Sequence, residues 1–201
     1  MSLLEDLETM FRTFPGIGPR QARRFVYFLL NENPSFLSSL SGNIEKLKEK
    51  VTACSECRRY FARNHSSVCP ICSNDERDHT TIMIVPHDAD LIRMEDSGAY
   101  KGLYFVVGGV LSLTDKEPEK KLPMKMLEKR VKTLAPKLKE IILVSDLTPD
   151  GETTLDFIAG ELSSFRESGG TISRLGRGLS TGSEIEYADS ETLRNALKNR
   201  Q

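Results

Sequence analysis

The chain has 201 residues, of which 38% are hydrophobic and 28% are charged. No apolar run approaches the roughly 18–20 residues that cross a membrane, so the sequence predicts no membrane partner. Residues 1–65 carry ten Lys and Arg against seven Asp and Glu, while the overall formal charge is −1. A nucleic-acid partner therefore has to be met by a local basic patch and not by the charge of the whole chain.

The first quarter of the sequence has helical spacing that is interrupted by one proline-framed turn. Apolar residues at steps of three and four over 2–14, and again from Ala22 to Leu29, predict two amphipathic helices. Between them lies Pro15-Gly-Ile-Gly-Pro19, whose glycines permit a tight turn and whose last proline suits the start of the next helix. A third helix is predicted from Leu37 to Val51, weakened by Gly42. Residues 14–24 thus have the form of a helix-hairpin-helix.

Three arginines follow this turn on one face of the second helix. Arg20, Arg23 and Arg24 stand at i, i+3 and i+4, and residues 12–30 contain four arginines and no acid. A helix N-terminus presents free N–H groups and partial positive charge, which favour phosphate. Such contacts provide DNA affinity that is independent of base sequence and sensitive to salt. The pattern favours DNA binding, and the alternative is a solvated basic face on two packed helices.

Four cysteines, all that the chain has, form two tight pairs. They are Cys54-Ser-Glu-Cys57 and Cys69-Pro-Ile-Cys72, and two such turns about a dozen residues apart can close a four-cysteine zinc site. Four thiolates leave no open coordination position, so this zinc is predicted to be structural. The alternatives are disulfides and redox chemistry. Without a hydrophobic leader we expect a reducing, cytoplasmic location, which disfavours disulfides, and the second pair disfavours a redox C-x2-C.

From Thr80 onwards, short apolar runs alternate with helical patterns. Strands are predicted at 81–85, 103–107 and 141–144, with a weaker one at 171–175. Helices are predicted at 89–96, about 123–138, 152–166 and 190–198. This alternation predicts an α/β fold with a mostly parallel sheet covered on both faces.

Acidic residues follow two of the predicted strands, at the edge where a parallel sheet binds ligands. Asp88 and Asp90 come after the first strand, and Asp146, Asp150 and Glu152 come after the third. Carboxylates that converge there could hold Mg²⁺ and assist phosphoryl chemistry. The alternative role is helix capping, which we expect for Asp88 and Asp150. No G-x4-G-K-[ST] motif is present, so the sequence does not predict a P-loop.

The order of these parts is distinctive. The hairpin at 15–24, the cysteine pairs at 54–72, the segment Asp146–Glu152 and the C-terminal run Ser183–Leu193 resemble, in that order, the RecR family of bacterial recombination mediators. The resemblance covers nearly the whole chain and implies a Toprim-type α/β domain. The predicted parts are a helical helix-hairpin-helix region at 1–52, a four-cysteine zinc-finger module at 53–78, a Toprim-like domain at 79–176 and a C-terminal tail at 177–201 that contacts other subunits.

The resemblance also implies a role in recombinational DNA repair. Members of this family assemble as ring-like dimers or tetramers that can encircle DNA, and they act with RecO, and in some settings RecF, to load RecA on coated single strands. By position, Arg20 and Arg24 match the basic hairpin residues that the family uses for DNA, and Arg23 is added from its helical spacing. Asp90 matches an acidic residue of the Toprim domain, and the segment from Asp146 to Glu152 matches the second acidic segment.

One position departs from the Toprim pattern. Toprim domains usually place a glutamate just after the first strand, and this chain has Pro86 there. Catalytic Toprim enzymes use that carboxylate as an acid or base with a metal, whereas proline offers neither a proton nor a ligand oxygen. Catalysis is therefore not expected. The stretch 58–68 between the cysteine pairs is expected to be a surface insertion without effect on the ligand geometry.

Three functions are compatible with these features. We favour a non-enzymatic DNA clamp and recombination mediator. The second is a Mg²⁺-dependent Toprim nuclease or phosphotransferase with Asp90, Asp146 and Asp150 as metal ligands. The third is a zinc-stabilised protein adaptor that makes no DNA contact of its own. The sequence leaves open whether the oligomer is a dimer or a tetramer and whether single- or double-stranded DNA is preferred.

Overall fold

The computed structural model describes residues 2–115, 117–176, 178, 179, 182 and 184–200. The chain divides into two compact units, Met1–Val51 and Thr52–Gln201. The predicted tail at 177–201 therefore lies partly outside the described residues. Within the described part, every helix is too short or too polar to traverse a bilayer.

The N-terminal unit consists of helices α1 (Leu3–Arg12), α2 (Pro19–Asn31) and α3 (Pro34–Lys50). Local chemistry explains where they begin. Ser2 caps α1 in a reciprocal capping box with Glu5, while α2 and α3 both start with a proline at their first position. Helix α3 continues through Gly42 without a break, so the predicted weakening there does not interrupt it.

Little apolar surface of this unit is buried in the single chain. Phe11 packs edge to face on Phe14 and Phe25, with centroid distances of 5.8 and 5.6 Å, and α2 buries Ala22 and Val26. Neither α1 nor α3 has a buried residue. The helices are amphipathic, yet their apolar faces remain largely exposed.

The second unit contains a small two-stranded sheet and a larger four-stranded one. In chain order its elements are β1 (Val51–Ala53), β2 (Tyr60–Ala62), β3 (Asp78–Val85), α4 (Asp88–Ser97), β4 (Gly102–Val106), α5 (Pro118–Lys121), α6 (Met124–Leu134), β5 (Glu140–Leu143), α7 (Pro149–Glu161), α8 (Ser163–Glu167), β6 (Thr171–Arg174), a 3₁₀ turn (Ile185–Tyr187) and α9 (Ser190–Lys198). The helix predicted at 152–166 is divided into α7 and α8 at Leu162, which ends one helix and begins the other.

The larger sheet has the strand order β4-β3-β5-β6, and all of its pairs are parallel. Side chains alternate between its two faces. Met83, Val85 and Tyr104 face a core shared with α4 and the cysteine module. Ile82 and Ile84 face a core built with α6, α7 and α8. Because both faces are covered, the strands read as continuous apolar runs, and the predicted α/β fold with a parallel sheet is confirmed.

Candidate metal centre and nucleic-acid interface

The four cysteines meet at one point. Their sulfur atoms all lie within 4.8 Å of one another, and Sγ of Cys57 is 3.6 Å from Sγ of Cys69. A disulfide bond needs about 2.05 Å, so these are separate thiols. Around a tetrahedral ion with metal–sulfur distances near 2.3 Å, ligand sulfurs stand about 3.8 Å apart. The spacing therefore fits one tetrahedral four-thiolate metal site.

Backbone hydrogen bonds shape both cysteine turns. The N–H of Arg58 donates to the carbonyl of Cys54 at 2.9 Å, and the N–H of Ser73 donates to the carbonyl of Cys69 at 3.1 Å. The N–H groups of Glu56 and Cys69 also point at Sγ of Cys54, at 3.4 and 3.3 Å. Such donors stabilise negative charge on sulfur, as a metal-bound thiolate requires.

Close packing also couples the protonation of the four thiols. Hydrogen bonding with Cys57 lowers the pKa of Cys54, and hydrogen bonding with Cys54 raises the pKa of Cys72. A cation takes all four as thiolates and so releases the remaining protons on binding. Cys54, Cys57 and Cys69 are buried and Cys72 is only partly exposed, so little water reaches the ligand atoms.

Arg58 attaches the first cysteine turn to the large sheet. Its backbone is left-handed, with φ of 65°, and its Nη1 donates to the carbonyls of Val106 and Val107 at 3.0 and 2.9 Å. The N–H of Val106 in turn donates to the carbonyl of Cys57 at 2.8 Å. The first cysteine turn is thus held at the carboxyl end of β4. An ion pair between Glu56 and the buried Arg130 of α6 also anchors it.

Arg58 was not predicted as a site residue, and the stretch 58–68 is only partly a surface insertion. Residues 62–67 are exposed as expected, but Phe61 is buried in the core beside the cysteines and β2 pairs with β1. The available signal was the position directly after a C-x2-C pair, where the chain reverses. Its long-range partners could not be read from the sequence because they lie nearly fifty residues away.

The acidic residues that follow β3 serve the local structure. Asp90 accepts a hydrogen bond from the N–H of His87 at 2.9 Å, which ties down the start of α4. Asp88 accepts from the N–H of Tyr60 in the cysteine module at 2.8 Å. The prediction that Asp88 caps α4 is wrong, because α4 begins at Asp88 and the extended cap residue is His87.

At α7, too, the cap residue lies before the predicted one. The capping oxygen belongs to Thr148, whose side chain accepts from the N–H of Gly151 at 3.1 Å, so the prediction that Asp150 caps this helix is also wrong. Asp150 lies inside the first turn and accepts instead from the N–H of Leu113 at 3.1 Å. It ties the loop after β4 to α7.

Glu152 and Asp146 complete the predicted acidic set. Glu152 accepts from Arg174 at 3.0 Å, and the same guanidinium reaches Asp156 at 2.5 Å. Within residues 2–115, 117–176, 178, 179, 182 and 184–200, the cysteines are the one group that brings three or more ligand-type side chains together. Asp90, Asp146, Asp150 and Glu152 are therefore not gathered into a metal site there, and Mg²⁺ binding by them stays a prediction.

Pro86 occupies the position after β3 where Toprim enzymes carry an acid. It is buried, and its carbonyl accepts from the N–H of Gly108 at 2.8 Å. The backbone of Pro86 therefore links the segment after β3 to the segment after β4, beside the carbonyls that Arg58 contacts. Its side chain supplies no group that titrates or binds a metal.

The three predicted DNA-binding arginines differ in their surroundings. Arg23 donates to Glu8 of α1, with 2.9 Å between Nε and Oε1, and this hydrogen bond raises the pKa of Arg23. Arg20 and Arg24 are exposed and form no ion pair within the described part of the chain. All three line a groove of about 700 Å³ along α2.

The groove also contains two residues that were not predicted as site residues. Tyr27 and Phe28 line it together with the arginines, and their exposed fractions are 56% and 53%. The signal that could have found them is their spacing, because Tyr27 follows Arg23 and Phe28 follows Arg24 by four residues, on the same helix face.

These features define a Toprim-type α/β protein with a helix-hairpin-helix unit and a cluster of four cysteines that could hold a metal ion. Residues 80–176 match the family model for the Toprim domain, and residues 178–201 match the one described as RecR, C-terminal. The chain is 37% identical over 198 residues to "Recombination protein RecR" of Rickettsia typhi, covering 98% of this chain and 96% of that protein. It is 33% identical over 197 residues to the protein of the same name from Ureaplasma urealyticum, covering 98% and 94%. The chain belongs to the RecR family.

Proposed function

We propose that this protein is a DNA-binding recombination mediator that acts in recombinational repair in the cytoplasm. In this proposal it works with RecO, and in some settings RecF, to load RecA onto single-stranded DNA. Family membership supports the repair role and these partners. The DNA contact rests on one observation: Arg20 and Arg24 are exposed without an ion-pair partner in the described part, next to the start of α2, where Gly18 offers no capping side chain.

This contact is tested by DNA retention as a function of salt. Arg20→Ala/Arg24→Ala should weaken binding and reduce the slope of log K against log[salt] by about 1.4 on single strands, because each phosphate contact contributes about 0.7. The matched control is Lys125→Ala/Lys129→Ala, which removes two exposed charges from α6. If both variants retain DNA as the wild type does, the hairpin arginines are not the contact; if the wild type retains none, the protein adaptor without DNA contact is favoured.

Arg23 provides an internal comparison. Its pairing with Glu8 is exposed and therefore weak, and a phosphate competes with it at the cost of that ion pair. We expect Arg23→Ala to weaken DNA binding less than Arg20→Ala or Arg24→Ala. A loss that equals theirs would show that Arg23 leaves Glu8 when DNA binds.

We propose Zn²⁺ as the ion of the four-cysteine site. Four thiolates in tetrahedral spacing suit zinc and leave no place for substrate, and the site shares its core with Met83 and Tyr104 of the large sheet. The ion's proposed role is therefore to stabilise the fold. Metal analysis of the purified protein tests the assignment, with one zinc per chain expected.

We also propose that the protein acts without catalysis of its own. The buried Pro86 supports this proposal, and so do the structural hydrogen bonds of Asp90 and Asp150. A nicking assay on supercoiled plasmid with Mg²⁺ should show no cleavage. Robust cleavage that Asp146→Ala abolishes would instead establish the alternative, a Toprim nuclease or phosphotransferase.

The proposed assembly is a ring-like homo-oligomer, a dimer or a tetramer. The apolar faces of α1 and α3 support it: Leu3 is 74% exposed, Ile44 63% and Leu47 59%. Isolated apolar side chains on a surface are common, but a row of them at helical spacing, as along α3, marks an interaction site. Light scattering should give a mass above that of one chain, and Ile44→Asp/Leu47→Asp should lower it.

A further inference from the structure

The groove along α2 combines cations and aromatic rings in a regular arrangement. Arg20, Arg24 and Phe28 follow one another at steps of four residues, and Arg23 and Tyr27 do the same in the adjacent row. Each step advances about 6 Å along the helix axis. The residues that line the groove include no acid, although Glu8 of α1 pairs with Arg23.

The two rings are available for a ligand. The buried side of α2 is formed by Ala22 and Val26, whereas Tyr27 and Phe28 are each more than half exposed. Phe28 rests edge to face on Phe36, with a centroid distance of 6.1 Å and an interplanar angle of 90°. This contact restrains the ring in the groove and leaves much of its surface exposed.

We infer that this groove binds single-stranded DNA, with the phosphates on Arg20 and Arg24 and unpaired bases stacked on Tyr27 and Phe28. The inference rests on the proposed DNA-binding function and adds the class of strand. Aromatic side chains stack on every type of base, but only where the bases are not already stacked in a duplex. Duplex DNA can contact the arginines through its phosphates, but its bases are stacked on one another and leave no free face for Tyr27 and Phe28.

Charge separates this groove from the apolar faces assigned to self-association. A second copy placed here by two-fold symmetry would bring its own Arg20 and Arg24 against the first pair, and like charges in contact are unfavourable. The exposed apolar residues of α3, such as Ile44 and Leu47, stand among charges of both signs, three lysines and two glutamates within residues 43–50. A polyanion fits the groove, and a second subunit fits the other faces.

The test compares three DNA probes of equal length, about 20 nucleotides, by fluorescence anisotropy at fixed salt: oligo-dT, an abasic strand and a duplex. The wild-type chain should bind oligo-dT more tightly than the abasic strand of the same charge. Tyr27→Leu/Phe28→Leu should lose at least roughly 30-fold in affinity for oligo-dT, because each stacked base contributes about fivefold or more, and it should bind duplex as the wild type does. Tyr60→Leu, which changes a ring that is 64% exposed in β2, serves as the matched control and should change nothing.

Each outcome is decisive. Equal binding of oligo-dT and the abasic strand by the wild type overturns the inference. A loss of affinity in Tyr27→Leu/Phe28→Leu that is equal for single strands and duplex also overturns it, and so does a fall in the oligomer mass of this variant. If Arg20→Ala/Arg24→Ala no longer binds DNA while Tyr27→Leu/Phe28→Leu still does, base stacking on the aromatic rings is refuted and the proposed DNA binding by the arginines is supported. If the wild type retains no DNA, the proposed function fails as well. Tyr27→Leu alone, which leaves the contact between Phe28 and Phe36 intact, repeats the comparison should the double variant melt early.

Discussion

Replacing Arg58 tests whether its hydrogen bonds between the first cysteine turn and the large sheet stabilise the fold. In Arg58→Ala the guanidinium is lost and the carbonyls of Val106 and Val107 lose a charged donor. A hydrogen bond to a charged group contributes about 1.5–3 kcal/mol. Because a single nitrogen serves both carbonyls and the residue is half-buried, we expect the loss to be close to that of one such bond, about 2 kcal/mol.

Arg58→Gly separates the side-chain contacts from the backbone conformation. Both variants lack the guanidinium, but φ of 65° costs a residue with a Cβ about 1–2 kcal/mol, and glycine avoids this cost. The glycine variant in turn loses about 0.4–1 kcal/mol of stability, because glycine gives the unfolded chain more conformational freedom. The glycine variant should therefore be more stable than the alanine variant by roughly 0.5–1 kcal/mol.

The measurement is thermal unfolding of the zinc-loaded chain by circular dichroism, supported by tyrosine fluorescence since the chain has no tryptophan. In a chain of this size 1 kcal/mol shifts the midpoint by about 2–4 °C, so Arg58→Ala should melt about 4–8 °C below the wild type and Arg58→Gly slightly less far below it. A midpoint for Arg58→Ala within 1 °C of the wild type, or a glycine variant below the alanine variant, would refute this account of the turn.

Three further results are expected. Cys57→Ser, or removal of the metal with a chelator, should leave a chain that melts far below the wild type, because a structural metal contributes folding free energy directly; an unchanged melt would show that the site is not structural. Gly151→Ala should destabilise by about 1–3 kcal/mol, since a Cβ would overlap a backbone carbonyl of the preceding loop, whereas Gly160→Ala in the same helix has open space and should stabilise by about 0.5–1 kcal/mol. Burial raises the pKa of Glu95, but hydrogen bonds from Arg77 and a tyrosine outweigh it and set the pKa below the ordinary 4.5. The stability advantage of the wild type over Glu95→Gln should therefore be present above pH 4.5 and disappear as the pH falls through the lowered pKa, and a gap that persists in acid would contradict the sign.

Local patterns were enough to predict several features of this protein. The two C-x2-C pairs identify all four cysteines that come together, because the spacing within a turn is a property of a few neighbouring residues. The proline-framed turn and the apolar periodicity identify α1 and α2, and the apolar runs identify the parallel strands, since helix and strand periods are written along the chain.

The tertiary structure alone decided which long-range partner each polar side chain meets. Asp88 bonds a backbone N–H of the cysteine module, and Arg58 reaches the end of β4. Arg23 meets Glu8 on the neighbouring helix, which separates it from Arg20 and Arg24 although the three look equivalent in the sequence. A sequence pattern reports the face on which a side chain lies, and packing of distant segments determines what stands opposite that face.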